Sequence, residues 1–99
     1  MEEEIMKKRA NHPRGVLSDG GHLILTTKQI IFEPHGFNIG GKKVVISIDN
    51  VIDIGKTEST FGLSKEIWVN MKGGRLERFV VWGRDEFVDA VKKQIAEKK

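Results

Sequence analysis

The chain contains no cysteine, no tyrosine and only two prolines, Pro13 and Pro34. The lack of cysteine excludes disulfides, thiol nucleophiles and thiolate metal sites, and fits a reducing compartment. Long apolar runs are also missing: nothing approaches the ~20 residues that a membrane-spanning helix needs. The start, Met1-Glu2-Glu3-Glu4, is acidic where a secretory signal is basic, and no Asn-x-Ser/Thr acceptor occurs. Together these absences lead to the expectation of a cytoplasmic protein.

The 99 residues are enough for one domain, expected to span 1–99 around a single core. Net charge is +3 with a pI near 9.3, mildly favourable for anionic partners. Acids and bases are interleaved along most of the chain, so local clusters carry more information than the total.

Gly20–Pro34, GGHLILTTKQIIFEP, places two apolar runs on either side of Thr26-Thr27-Lys28-Gln29. Runs rich in Ile, Leu, Phe and Thr with so short a join predict two adjacent antiparallel strands, at about 22–27 and 29–34. Upstream, residues 1–4 are expected to fray, Ile5–Asn11 to form an irregular strand, and His12–Gly21 to be a loop, because it carries Pro13, Gly15, Gly20 and Gly21. Downstream, Val44, Ile46 and Ile48 share one face of a strand over 43–49. A strand over 51–55 follows, with Ile52 and Ile54 on the same side. Alternation in Ile67–Met71 points Ile67, Val69 and Met71 one way and Trp68 the other. Lys72-Gly73-Gly74-Arg75 then reads as a hairpin turn, and Leu76–Trp82 as the last strand.

After Gly83 the period changes. Phe87, Val88, Val91 and Ile95 make the apolar stripe of a helix. Asp85 and Glu86 lie in its first turn and Lys92, Lys93, Lys98 and Lys99 toward its end, as the helix dipole favours. Six or seven short strands followed by one amphipathic helix describe a curled antiparallel sheet whose open end the helix covers.

The order of motifs resembles a GRAM domain of the small bacterial type. The resemblance rests on GGHLILTTKQIIFEPHGFN, preceded by Ala10-Asn11-His12 and followed by VVISIDNVIDI and GGRLERFVVWGRDEFVDAV, and covers about residues 5–96. It implies a mainly β, pleckstrin-homology-like fold: about seven antiparallel strands in two nearly orthogonal sheets, capped by a C-terminal helix. One departure is Phe87, where the family usually has tryptophan; only packing is expected to change.

No catalytic constellation is visible, and neither enzyme activity nor a cofactor is expected. Gly36–Lys43 has the G-x-x-x-x-G-K spacing of a phosphate loop, but Lys43 stands where Mg²⁺ needs Ser or Thr, and a strand follows where a helix should. His12, His22 and His35 lack a metal-binding motif and read as structural, hydrogen-bonded histidines. The candidates for binding are basic. Lys7, Lys8, Arg9 and Arg14 are expected around the first loop, and Lys42 and Lys43 close the glycine-rich connection that carries Phe37 and Ile39. In pleckstrin-homology-like domains the first-loop region takes phosphoinositide headgroups, and the resemblance implies membrane lipid. Clustered Lys and Arg contribute about 1 kcal/mol each near an anionic bilayer, and Phe37 and Ile39 could dip into it. The alternative is a protein-interaction or self-association module using a sheet edge or the helix groove, with Trp68 and Trp82 as anchors. Nucleic acid is not expected, since no basic stripe interleaved with aromatics is present.

Overall fold

In the computed structural model, residues 2–14, 17–35, 42–58 and 65–98 are described. The order is β1 (Glu4–Arg14), β2 (Leu17–Thr26), β3 (Gln29–Pro34), β4 (Val44–Ser47), a single 3-10 turn (Ile48–Asn50), β5 (Val51–Lys56), β6 (Glu66–Met71), β7 (Arg75–Val81) and α1 (Arg84–Glu97). The strands form one seven-stranded antiparallel sheet ordered β4-β3-β2-β1-β7-β6-β5. The two expected sheets are therefore continuous: the register pairs Ala10–Val81 and Asn11–Val80 join β1–β4 to β5–β7.

One apolar cluster fills the interior. Leu23, Leu25, Ile30 and Phe32 come from the first half of the sheet, Ile67, Val69, Phe79 and Val81 from the second, and all are 0% exposed. The helix adds Phe87, Val88 and Val91, also buried, with Ile95 packed at the margin. Each such side chain stabilises the fold by about 1.5–3 kcal/mol, so the expected apolar stripe is what holds α1 in place. Among the described residues, ion pairs surround it: Lys8–Glu86 at 3.3 Å, Lys56–Asp85 at 2.9 Å and Lys98–Asp49 at 3.4 Å.

Several sequence expectations are corrected. The stretch read as a loop over 12–21 is mostly strand, because β1 runs to Arg14 and β2 starts at Leu17. Pro13 is tolerated because, among the described residues, β1 meets β7 around Arg9, Ala10 and Asn11 and not at Pro13, which has a strand on one side alone. Gly21 is there for closeness rather than for a turn: a Cβ on it would stand 2.2 Å from the Glu33 carbonyl oxygen. The amino-terminal acids are tied rather than frayed, since the Thr27 N–H donates to the Glu3 carbonyl at 2.9 Å. In β5, Ile54 is buried but Ile52 is 59% exposed. The register jumps from Val51–Met71 to Asp53–Asn70, and this bulge turns Ile52 outward.

The hairpin at 72–74 holds three residues, because Met71 pairs directly with Arg75. Gly73 and Gly74 have φ of 87° and 80°, and the Gly74 N–H donates to the Met71 carbonyl at 3.2 Å. Glycine is required at both positions for that positive φ. The Thr26-Thr27 join is explained by one hydroxyl. Thr26 Oγ1 accepts from the Lys28 N–H at 3.1 Å and the Gln29 N–H at 2.9 Å, closing the β2–β3 turn.

Candidate functional site

The helix covers one end of the curled sheet. Near the other end, four residues further along β1 from Lys8 and so about 13 Å away, His12 faces inward. Its ring lies 5.4 Å from that of Phe32 and 5.0 Å from that of Phe79, and its Nε2 is 2.8 Å from Glu77 Oε2. Directly across the β1–β2 ladder from His12 stands Asp19, 3% exposed. His12, Asp19 and Glu77 line a cleft of about 410 Å³.

Cations reach the cleft from two places. Lys42 and Lys43 lead into β4, and Arg75 opens β7 just after the glycine hairpin. Strand alternation puts Arg75 on the same side as Glu77, Phe79 and Val81, which is the inner side. Val44 and Val45 supply an apolar wall. The site thus offers three exposed cations over a floor where Glu77 is already committed to His12. That arrangement suits an anion with hydroxyl or phosphate oxygens.

The expected basic cluster is divided by the structure. Lys42 and Lys43 line the cleft, but Lys7, Lys8 and Arg9 do not surround the first loop, because β1 continues five residues past Arg9. Lys8 turns inward to the helix end, where it pairs with Glu86. Lys7 and Arg9 face outward, and the Arg9 guanidinium sits 5.2 Å from the centre of the Trp82 ring. Phe37, Ile39 and the side chain of Arg14 lie outside the described residues. Trp82 is 37% exposed; Trp68 is half-buried, its ring occupying the space over Gly55. His22 and His35 approach edge to face at 5.4 Å, away from His12. Among the described residues no group of three or more His, Cys, Asp or Glu side chains could hold a metal ion.

Sequence reading missed Arg75 and the His12–Glu77 pair. Arg75 looked like part of a turn, and the pair joins residues 65 apart in the chain. Only the register of β1 against β7 brings such residues together, and composition does not reveal it.

No family model matches the chain and no curated protein matches it. Solved structures do. The C-terminal domain of an unknown protein from Leishmania infantum matches with a TM-score of 0.84 at 19% identity, over 96% of this chain and 85% of that one. The Vps36 N-terminal PH domain matches with a TM-score of 0.76 at 12% identity, over 97% and 80%. The fold is pleckstrin-homology-like. The DH/PH domains of p115-RhoGEF match as well, with a TM-score of 0.70 at 6% identity, over 96% of this chain and 31% of that one. At these identities the likeness concerns architecture, so the function of this pleckstrin-homology-like chain has to be argued from its own cleft.

Proposed function

We propose that this chain is a non-catalytic, peripheral binding module whose open-end cleft takes the phosphate-bearing headgroup of an anionic membrane lipid. The GRAM-like motif order from Ala10 to Asn38 makes the small bacterial GRAM type, acting in the cytoplasm or at its membrane, the subgroup of choice. The observation that carries the reading is the convergence of Lys42, Lys43 and Arg75 on a cleft of about 410 Å³ at the end that the helix leaves free. Lysine and arginine are complementary partners for phosphate: the guanidinium supplies a planar fork and the ammonium groups compact charge. His12 and Glu77, locked together at 2.8 Å, form a floor that orients rather than reacts.

The protein-partner reading by strand addition has less support, because both sheet edges are blunted. β4 is only four residues long and follows two lysines, and β5 carries the bulge at Ile52. Short, charged and bulged edges discourage pairing.

The test is co-sedimentation with vesicles of equimolar phosphatidylcholine and phosphatidylserine against phosphatidylcholine alone. Binding to the anionic vesicles, weakened by salt, is expected to fall several hundredfold, to below detection, in Lys42→Glu/Arg75→Glu, at about 1 kcal/mol per cation removed and a like penalty per acid added. Competition by inorganic phosphate at the same ionic strength separates a free-anion site from a membrane site. Protein remaining in the supernatant with anionic vesicles at low salt overturns the lipid reading.

A further inference from the structure

The outer side of β1–β4 is not the polar surface that a half-solvated antiparallel sheet usually presents. The registers set Lys7 opposite Ile24, Ile24 opposite Ile31, and Ile31 opposite Val45, one row across four adjacent strands. Ile24 is only 8% exposed yet stands apart from the core cluster, and Val45 is 51% exposed. This is why β2 and β3 read as unbroken apolar runs, Leu23-Ile24-Leu25 and Ile30-Ile31-Phe32: both of their faces are apolar. The neighbouring row runs through Arg9, His22 and Glu33. At its β7 side is Trp82, partly exposed and stacked against Arg9 at 5.2 Å.

We propose that this outer face lies against an anionic bilayer, with the apolar row and Trp82 at the interface and Lys7, Arg9 and Lys43 reaching headgroups. The inference rests on the lipid reading above and adds how the module sits on the membrane. Charge selects the occupant. A second copy of the chain would bring three cations onto the same three cations, with Glu33 as the one acid among these positions. An anionic bilayer answers both features, apolar depth for the Ile–Val row and negative charge for its border. Tryptophan beside arginine is suited to the headgroup level, where an amphipathic ring has one apolar and one wet side. The face and the cleft share Lys43 and Val45, so one membrane plane meets both.

The experiment uses vesicles of equimolar phosphatidylserine and phosphatidylcholine whose phosphatidylcholine carries brominated acyl chains. Tryptophan emission should be quenched in the wild type, and the quenched fraction should disappear in Trp82→Phe. Val45→Asp should weaken sedimentation about fivefold and Lys7→Glu about thirtyfold, each checked for an unchanged near-ultraviolet circular dichroism spectrum. Sedimentation without quenching, lost only in Lys42→Glu/Arg75→Glu, overturns this proposal and leaves the cleft reading standing. Quenching and sensitivity to Lys7→Glu, with no effect of the cleft variant, supports this face and overturns the cleft. Wild-type protein that does not sediment overturns both. Retention on immobilised poly-glutamate that Lys7→Glu abolishes, with Trp82 unquenched, assigns the face to an acidic protein and overturns the membrane proposal.

Discussion

The two ends of the curled sheet are built from opposite materials. At one end Phe87, Val88 and Val91 are buried in the interior, and the ion pairs of Lys8, Lys56 and Lys98 surround them. At the other, His12 and Asp19 sit beneath Lys42, Lys43 and Arg75, and a cleft of about 410 Å³ remains. Burial of apolar area stabilises the first end, while the second keeps charged groups accessible. Stability and the proposed recognition are thereby separated along β1, whose inward residues run from Met6 and Lys8 at the helix to His12 at the cleft. Damage to one end should register in a different measurement from damage to the other.

The strongest way to break the helix end is Phe87→Ala, which empties a fully buried aromatic site. A loss of about 3–5 kcal/mol is expected, read as a lower urea midpoint, with vesicle binding lost only where the protein unfolds. Gly21→Ala tests the strand frame between the two ends. Its methyl would collide with the Glu33 carbonyl, so β2 and β3 must move apart, at a cost of about 1–3 kcal/mol. Unchanged melting of this variant would refute the close-approach argument. The cleft variant Lys42→Glu/Arg75→Glu should do the reverse of Phe87→Ala, abolishing vesicle binding while stability stays within about 0.5 kcal/mol.

The smallest effect concerns acid. The Lys56 ammonium, hydrogen-bonded to Asp85 and attracting it by charge, holds that carboxyl below its usual range, with a lesser contribution from Arg84. A depressed folded-state value means that the pair adds stability above the unfolded carboxylate value, near pH 4, and loses it as pH falls further. Asp85→Asn should therefore lower the melting temperature slightly at pH 6, and the gap to wild type should close toward pH 3. A gap that persists in acid would show that the contribution is not ionic. The group is exposed, so the change will be small.

Much of the architecture was legible because it rests on local period. The alternation in Ile67–Met71, the 3.6-residue stripe from Phe87 to Ile95 and the glycine pair of the last hairpin each determine an element without help from distant residues. The reading failed where a local cue had a tertiary cause. Gly20, Gly21 and Pro13 resembled a loop, but Gly21 serves strand contact and Pro13 a strand end. The site was half legible: Lys42 and Lys43 stood out as a basic pair, but Lys7, Lys8 and Arg9 look equivalent in sequence. Strand parity sends Lys8 inward to Glu86 and leaves the other two on the outer face, one beside Ile24 and one on Trp82.

The place of Arg75 after the three-residue glycine loop has a consequence for ligand choice. Arg75 pairs with Met71 across the hairpin and lies on the inward parity of β7. Adding or deleting one residue in that loop would leave Arg75 facing inward, since its side is fixed by Phe79 and Val81, buried on the same face of β7. The cation at the mouth of the cleft is therefore held by the core beneath it, and a ligand preference built on Arg75 would survive changes in the loop.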